Sequence, residues 1–198
     1  MDWTKYFLSI AEQVKLKSKD QSTQIGAVIV GKDNEIRSTG YNSFPRGLDD
    51  NKSERQERPE KYFWFEHAER NAIYNAARVG IPLDGSTIYL TSGLPCADCA
   101  RAIINSGIKK VYCKSVCTTK NKEKWIESQD KALQMLKECD VTVSYTHLRA
   151  HETPEHLVCR LLLEKKKRSL HNATSPLSQL SPYSFHLTLS HHYIPLLT

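Results

Sequence analysis

The segment TIYLTSGLPCADCARAIINSGIKKVYC, residues 87–113, has the pattern of a strand, a helix and a second strand. Residues 87–91 are rich in β-branched, aromatic and aliphatic side chains and predict the first strand. Pro95 is expected at the first helical position, and Gly107 is expected to end the helix. Residues 108–113 then predict the second strand. Two strands joined through a helix are typical of parallel pairing, so the segment predicts an α/β fold.

The other predicted elements of the first 143 residues extend this pattern on both sides. Apolar residues at helical or alternating spacing, bounded by turn residues, predict each of them. They are a helix over 2–17 with an apolar stripe of Trp3, Phe7, Ile10 and Val14, hairpin strands over 25–30 and 36–41, helices over 66–78 and 121–138, and a strand over 141–143. The order αββαβαβαβ predicts a mostly parallel five-stranded sheet with helices on both faces.

The composition of the 198-residue chain, with 39% hydrophobic and 25% charged residues, argues against a wholly disordered chain and against a membrane protein. No apolar run reaches the length of about 18 residues that a membrane helix needs, and the N-terminus lacks the pattern of a secretory leader. We therefore expect a cytoplasmic protein without a membrane partner. Because thiols stay reduced in the cytoplasm, the six cysteines indicate metal binding or catalysis rather than disulfide bonds.

The composition changes near residue 143. Residues 144–198 contain seven of the eight histidines and twelve leucines but no glycine and no aspartate. We expect a catalytic domain over 1–143 and a non-homologous, largely disordered tail over 144–198, in which residues 145–167 resemble a translated adapter or vector fragment. Each part carries half of the net charge of +6. This charge is too small for a nucleic-acid footprint, so we expect no polynucleotide partner.

His67, Glu69, Cys96 and Cys99 are the candidate metal-binding and proton-transfer residues. His67 is the single histidine of the first 143 residues. At i, i+3 spacing on the first turn of a helix, both cysteine sulfurs can face one point, and the helix N-terminus lowers a thiol pKa. One imidazole and two thiolates give a tetrahedral Zn²⁺ three protein ligands and leave its fourth position open, as in catalytic zinc sites.

A zinc ion at this position would activate a water molecule, and Glu69 would transfer its proton as general base and acid. Residues i and i+2 in mid-helix point about 200° apart, so the helix must begin near His67 if both side chains are to face the zinc. Two other interpretations stay open. The two cysteines of Cys-x-x-Cys can form a redox pair, or the zinc can be structural, with Cys113 or Cys117 as a fourth ligand.

Four segments carry a resemblance to a known family. His-x-Glu together with Pro-Cys-x-x-Cys is the signature of the zinc-dependent deaminases. The segments are SKDQSTQIGAVIV (18–30), GYNSFPRG (40–47), RPEKYFWFEHAERNAI (58–73) and LPCADCARAIINSGIKKVY (94–112). Through them, most of residues 4–143 resembles the cytidine and deoxycytidylate deaminase superfamily, most closely the deoxycytidylate (dCMP) deaminases.

This resemblance implies a fold, a reaction and partners. The fold would be the three-layer α/β/α deaminase fold with a mixed five-stranded sheet. The reaction would be the zinc-dependent hydrolysis of dCMP to dUMP and ammonia, which supplies thymidylate synthesis. The implied partners are a nucleotide substrate, further copies of the chain in a homo-oligomer, and dCTP and dTTP as allosteric effectors. The alternatives are a deaminase of the same fold acting on cytidine, guanine or adenosine in tRNA, and a non-catalytic zinc-stabilised binding module.

The resemblance also implies three substrate contacts. Asn42 would contact the sugar hydroxyl or the base edge, and the backbone amide of Ala68 would bind the pyrimidine carbonyl. The backbone carbonyl of Leu94, at a position where relatives usually have serine, would accept a hydrogen bond from the exocyclic amine. The alternative for Asn42 is a turn residue that follows a strand.

The polar stretch over residues 46–61 is predicted to form a lid or specificity loop. Cations at the pocket mouth would bind a 5′-monophosphate, and Arg46 and Lys61 are the candidates, with a solvated loop as the alternative. The aromatic residues at 63–65 follow directly. Three adjacent aromatic residues favour packing under a loop or at a subunit contact over stacking on a base.

Overall fold

The computed structural model describes residues 1–114 and 122–146. The predicted series of helices and strands is confirmed, and a 3-10 helix and the short helix α2 are added to it. In chain order the elements are α1 (Trp3–Lys15), β1 (Gly26–Val30), β2 (Ile36–Tyr41), the 3-10 helix (Ser53–Gln56), α2 (Lys61–Trp64), α3 (Ala68–Arg78), β3 (Thr87–Leu90), α4 (Ala97–Asn105), β4 (Lys110–Cys113), α5 (Lys122–Glu138) and β5 (Thr142–Tyr145).

The five strands form one mixed sheet in the order β2-β1-β3-β4-β5. Strand β1 is antiparallel to both of its neighbours, whereas β3, β4 and β5 are parallel to one another. Only β1 is therefore reversed, which confirms the predicted mixed and mostly parallel sheet. The carboxyl ends of β2, β3 and β4 lie at one edge, the edge at which open α/β sheets bind their ligands.

Different helices cover the two faces of the sheet. Val28 and Val30 of β1 pack with Phe7 of α1 on one face. Ile29, which lies between them, belongs to the larger core formed with α3, α4 and α5 on the other face. This alternation follows from the two-residue repeat of a strand. The arrangement confirms the predicted three-layer α/β/α architecture.

Helix α3 lies against β2 at very short distance, and Gly40 makes this approach possible. A Cβ atom at Gly40 would lie 2.3 Å from the backbone nitrogen of Ala72 and 2.4 Å from the carbonyl oxygen of Ala68. Ser38 of the same strand donates a hydrogen bond from Oγ to the Ala72 carbonyl at 2.7 Å. These contacts fix the first turns of α3, which contain part of the predicted site.

The structure corrects several details of the predicted elements. Helix α4 begins at Ala97 and not at Pro95, because Cys96 has an extended backbone, with φ −74° and ψ 170°, and is the N-cap residue. Trp3, the first residue of α1, is 57% exposed and therefore lies outside the buried stripe. Strand β5 continues to Tyr145, past the domain end predicted from composition.

Residues 115–121 and 147–198 lie outside the described residues. They include Cys117 and nearly all of the segment expected to be a disordered tail, so that expectation stays a prediction. No helix within the described part of the chain is both long enough and apolar enough to cross a membrane.

Candidate active site and metal centre

The predicted zinc ligands lie at the N-termini of two helices. His67 is the N-cap residue of α3 and has an extended backbone, with φ −74° and ψ 154°. Cys96 is the N-cap residue of α4, and Cys99 lies in the first turn of the same helix. Helix α3 thus begins directly after His67, as the geometric argument from His67 and Glu69 predicted.

The three ligand groups converge on one point. His67 Nδ1 lies 3.5 Å from Cys96 Sγ and 3.5 Å from Cys99 Sγ, and the three ligand atoms all lie within 4.8 Å of one another. Zinc bonds of about 2.0–2.1 Å to nitrogen and about 2.3 Å to sulfur, at a tetrahedral angle, separate nitrogen and sulfur by about 3.5 Å. The spacing of these residues therefore fits a zinc ion.

The three ligand groups change one another's pKa values when no metal is bound. The hydrogen bond from Cys99, helped by His67, lowers the pKa of the Cys96 thiol to about 4 despite burial. The same contact with Cys96, together with burial, raises the pKa of Cys99 well above its usual value. Burial lowers the pKa of His67, but the hydrogen bond to Cys96 and the charge of Glu69 outweigh it and raise the pKa. Binding of zinc to two thiolates and a neutral imidazole therefore releases protons.

Glu69 is the carboxyl group beside this cluster. It lies in the first turn of α3 and is 4% exposed. Burial raises the pKa of its carboxyl group, and the charge of His67 opposes this effect only in part. Glu69 is not a member of the ligand cluster. A buried carboxyl group with a raised pKa, next to a metal site, is suited to accept and return a proton.

Asn42 and Ala68, two of the predicted substrate contacts, are bonded to each other. Asn42 follows β2 and is 4% exposed. Its Oδ1 accepts a hydrogen bond from the backbone amide of Ala68 at 2.9 Å, and its Nδ2 donates to the Thr23 carbonyl at 2.9 Å. The side chain of His67 makes no capping bond. Asn42 therefore satisfies one of the free backbone N–H groups at the start of α3.

Leu94, the third predicted substrate contact, lies in the loop between β3 and α4. Its carbonyl oxygen accepts a hydrogen bond from Gln129 Nε2 at 2.9 Å. The neighbouring residue on α5, Ser128, accepts a hydrogen bond at Oγ from the backbone amide of Ala97 at 3.0 Å. Both α5 residues were missed from the sequence. The available signal was a pair of polar residues one turn before the buried Ala132 on the same helix face.

A match to a known family covers the whole of this site. Residues 1–115 match the family described as the cytidine and deoxycytidylate deaminase zinc-binding region. The match includes the three ligand residues and Glu69. The chain belongs to this deaminase family. Membership places it among the hydrolytic deaminases, which act on C–N bonds, and confirms the predicted enzyme class.

Relatives of this deaminase include proteins from bacteria, animals and phages. An uncharacterized deaminase from the luxG 3′ region of Aliivibrio fischeri is 41% identical over 146 residues, which are 74% of this chain and 95% of that protein. The deoxycytidylate deaminase of Homo sapiens is 35% identical over 116 residues, which are 56% of this chain and 64% of the human protein. The chain thus matches less than two thirds of the human protein's length.

A solved structure supports the same fold. The crystal structure of dCMP deaminase from the cyanophage S-TIM5 in complex with dCMP and dUMP is 26% identical and superposes with a TM-score of 0.58. The superposition covers 72% of this chain and 95% of the phage chain. It confirms the predicted deaminase fold with its mixed five-stranded sheet.

Cys113 does not belong to the candidate metal-binding cluster of this deaminase. It is fully buried, and burial, with a smaller effect of the Glu69 charge, raises the pKa of its thiol to about 12. The ligand cluster found among the described residues contains His67, Cys96 and Cys99 and no fourth side chain. Cys117 lies outside the described residues. This three-ligand set has the composition of a catalytic zinc site.

Aromatic residues lie beside the deaminase site. The Trp125 ring on α5 lies 5.9 Å from the His67 ring, measured between centroids. The sequence indicated Trp125 only as a residue of the last helix. Phe65 is buried and packs on Phe44 at a centroid distance of 4.2 Å, as the packing interpretation predicted. Phe63, by contrast, is 81% exposed.

The two predicted phosphate ligands have other partners. Lys61 is 6% exposed, and its Nζ lies 2.5 Å from Asp20 Oδ1. The interpretation of Lys61 as a cation at a pocket mouth is therefore wrong, because its ammonium group is buried and paired. Arg46 is exposed and donates from Nη2 to Asn75 Oδ1 of α3 at 2.7 Å.

Proposed function

We propose that this chain catalyses the zinc-dependent hydrolytic deamination of dCMP to dUMP and ammonia. The observation that carries the proposal is the convergence of His67, Cys96 and Cys99 on one point with the buried Glu69 beside it. Relatives named deoxycytidylate deaminase support the substrate assignment, as does the phage dCMP deaminase in complex with dCMP and dUMP.

Zinc held by His67, Cys96 and Cys99 would supply the Lewis acid that activates a water molecule. Glu69 accepts a proton from the water whose oxygen bonds to the amino-bearing carbon, and it donates this proton to the adjacent ring nitrogen. The second proton from water goes through Glu69 to the amino group, which leaves as ammonia. One water is consumed and one ammonia is released, and the carbon that carried the amine becomes a carbonyl.

We assign Asn42, Ala68 and Leu94 to the base and the sugar of the substrate. Ala68 lies between His67 and Glu69 in the chain, and Leu94 lies two residues before Cys96. In the structure the Ala68 amide donates to Asn42, so a pyrimidine carbonyl would share or replace that acceptor. The Leu94 carbonyl accepts from Gln129 and retains a second lone pair for the exocyclic amine.

The cellular setting of this activity is part of the proposal. We expect the protein to act in the cytoplasm, where dCMP would be supplied and dUMP used. Assembly into a homo-oligomer and regulation by dCTP and dTTP stay predictions from the family resemblance. The modest charge of the domain continues to favour a mononucleotide over a polynucleotide substrate.

Ammonia release tests the proposal directly. The purified full chain is incubated with dCMP, dCTP, cytidine and adenosine, and dCMP is expected to give the highest kcat/KM. In Glu69→Gln the rate should fall by about 10²–10⁴-fold with zinc content unchanged, because only the proton-transfer group is lost. Glu127→Gln, at an exposed position of α5, is the matched control and should retain full activity.

Each other outcome contradicts a named part of the proposal. Preference for cytidine or adenosine would support the alternative of another deaminase with the same fold. Stoichiometric zinc without ammonia release from any of the four substrates would support a non-catalytic zinc-stabilised module. Full activity of Glu69→Gln would show that Glu69 is not the proton-transfer group.

A further inference from the structure

Helix α5 contacts the metal-binding loop on both sides of Cys96. Gln129 Nε2 donates a hydrogen bond to the Leu94 carbonyl at 2.9 Å. Ser128 Oγ accepts a hydrogen bond from the Ala97 amide at 3.0 Å. Leu94 and Ala97 flank the dipeptide that contains Cys96, so two adjacent side chains of α5 bind the chain just before and just after this ligand. We call Ser128 and Gln129 the α5 clamp.

Hydrogen bonds within the loop and to the sheet hold only part of the loop that carries Cys96. Its first residues are anchored to the sheet, since the Thr91 amide donates to the Gly26 carbonyl at 3.1 Å. Pro95 has no N–H group, and the first amide of α4, that of Ala97, finds its partner outside the loop, at Ser128 Oγ. The first N–H groups of a helix need partners from outside it. At Ala97 the α5 clamp supplies that partner.

The polar character of the α5 clamp is not required for helix packing. On the same face of α5, Ala132 and Leu136 are fully buried and belong to the large hydrophobic core. Apolar side chains at 128 and 129 would continue this stripe. The two polar residues instead make directed bonds to the backbone of the metal-binding loop.

A metal ligand must be held to within about 0.2 Å of the required bond length. The position of Cys96 Sγ depends on the backbone at Cys96, because its φ and ψ set the direction of the side chain. His67 is held separately, through the bond from Ala68 to Asn42. Loosening the backbone around Cys96 would therefore displace Cys96 and leave His67 in place.

We infer that Ser128 and Gln129 are positioning residues that hold Cys96 in the geometry needed for tight zinc binding. The inference rests on the proposed function only in requiring that the centre binds zinc, and not on the identity of the substrate. It assigns to α5, whose described side chains include no member of the ligand cluster, an influence on metal affinity through two side-chain-to-backbone hydrogen bonds.

Metal release from the full-length holoenzyme tests the α5 clamp. Gln129→Leu and Ser128→Ala should each accelerate zinc transfer to a chromogenic chelator by at least about tenfold, the usual scale for residues that orient metal ligands. They should also alter the thiolate-to-cobalt absorption bands of the Co²⁺-substituted protein. Ser128→Thr keeps a hydroxyl acceptor and, unlike Ser128→Ala, should release zinc as slowly as the wild-type protein.

Matched controls separate metal positioning from general loss of stability. Gln134→Leu removes an exposed glutamine of α5 whose Nε2 donates to Glu138 Oε1. Ser106→Ala removes a hydroxyl that donates to the Ile103 carbonyl at the other end of α4. Both controls should release zinc at the wild-type rate. If Gln129→Leu does not fold, Gln129→Glu keeps the side-chain volume while replacing the donor with an acceptor.

Wild-type release rates and cobalt spectra in the Gln129 and Ser128 variants would overturn the inference. A lower melting temperature of the metal-free variants without faster metal release would also overturn it, since it would indicate a purely structural role. Turnover of dCMP is not part of this readout. A chain that fails to deaminate dCMP but shows faster metal release in the variants would contradict the proposed function and support the α5 clamp.

Discussion

Lys61 and Asp20 form a buried ion pair. Their side chains are 7% and 3% exposed, and the Asp20 carboxylate also accepts from the backbone amides of Ser22 and Thr23. Thr23 in turn accepts from Asn42. The ion pair therefore supports the loop that orients a proposed substrate-binding residue.

Replacement of Lys61 should strongly destabilise the protein. Lys61→Met leaves the Asp20 carboxylate buried without its cation, which costs about 3–5 kcal/mol in comparable buried pairs. Urea unfolding should show this loss as a lower midpoint. The control is Lys19→Met, because Lys19 is 56% exposed where it pairs with Asp50, and exposed pairs contribute about 0–1 kcal/mol. Equal effects of the two substitutions would show that burial of the Lys61 pair is energetically unimportant.

The convergence of His67, Cys96 and Cys99 was predictable from local spacing and motif, whereas the partner of Lys61 was not. Cys96 and Cys99 are three residues apart, so helix geometry alone places their sulfurs together. His67 was identified because it is the single histidine of the first 143 residues and precedes a glutamate by two positions. Lys61 and Asp20 are separated by 41 residues, and no local spacing relates them.

At the scale of elements, the site depends on where helices α3 and α4 begin. The start of α3 followed from the requirement that His67 and Glu69 face one point. The start of α4 was misplaced because the preference of proline for the first helical position was applied to Pro95, whereas Cys96 is the N-cap residue. The 3-10 helix Ser53–Gln56 was missed because residues 46–61 show no apolar period.

The close approach of α3 to β2 gives a prediction about Gly40. In Gly40→Ala the new Cβ would meet backbone atoms of α3 at 2.3 and 2.4 Å, so the helix must move away from the strand. Overpacking of this kind costs about 1–3 kcal/mol, and urea unfolding should detect it. Because α3 starts directly after His67, zinc affinity should fall as well.

A matched glycine separates the backbone clash from a general effect of alanine. In Gly31→Ala the new Cβ would meet the side chains of Glu35 and Arg37, whose ends can move aside. This variant should keep nearly wild-type stability and zinc affinity. A Gly40→Ala protein as stable as Gly31→Ala would show that α3 has room to shift without cost.

For the whole molecule, the order of elements was predictable but the contacts between distant elements were not. Alternating strands and helices predict layers, and the sheet places the carboxyl ends of β2, β3 and β4 at one edge. The proximity of α5 to the metal-binding loop depends on how α5 packs against α4. No sequence spacing shows that Gln129 donates to a carbonyl 35 residues away.

The domain ends at the edge strand β5, which pairs with β4. Tyr145 of β5 pairs with Cys113, and the Thr146 amide donates to the Cys113 carbonyl at 3.0 Å. A chain ending at Thr146 retains these bonds and loses the segment whose composition differs from that of the domain. It should fold, bind zinc and release ammonia from dCMP at the rate of the full chain.

A shorter truncation provides the contrast. A chain ending at Val141 also loses β5, including Val143 and Tyr145, which pack against the large core, and it exposes the edge of β4. It should be insoluble or unfold at much lower urea concentration, as circular dichroism would show. If the chain ending at Thr146 behaved in the same way, residues 147–198 would be part of the folded enzyme and the prediction of a foreign tail would be wrong.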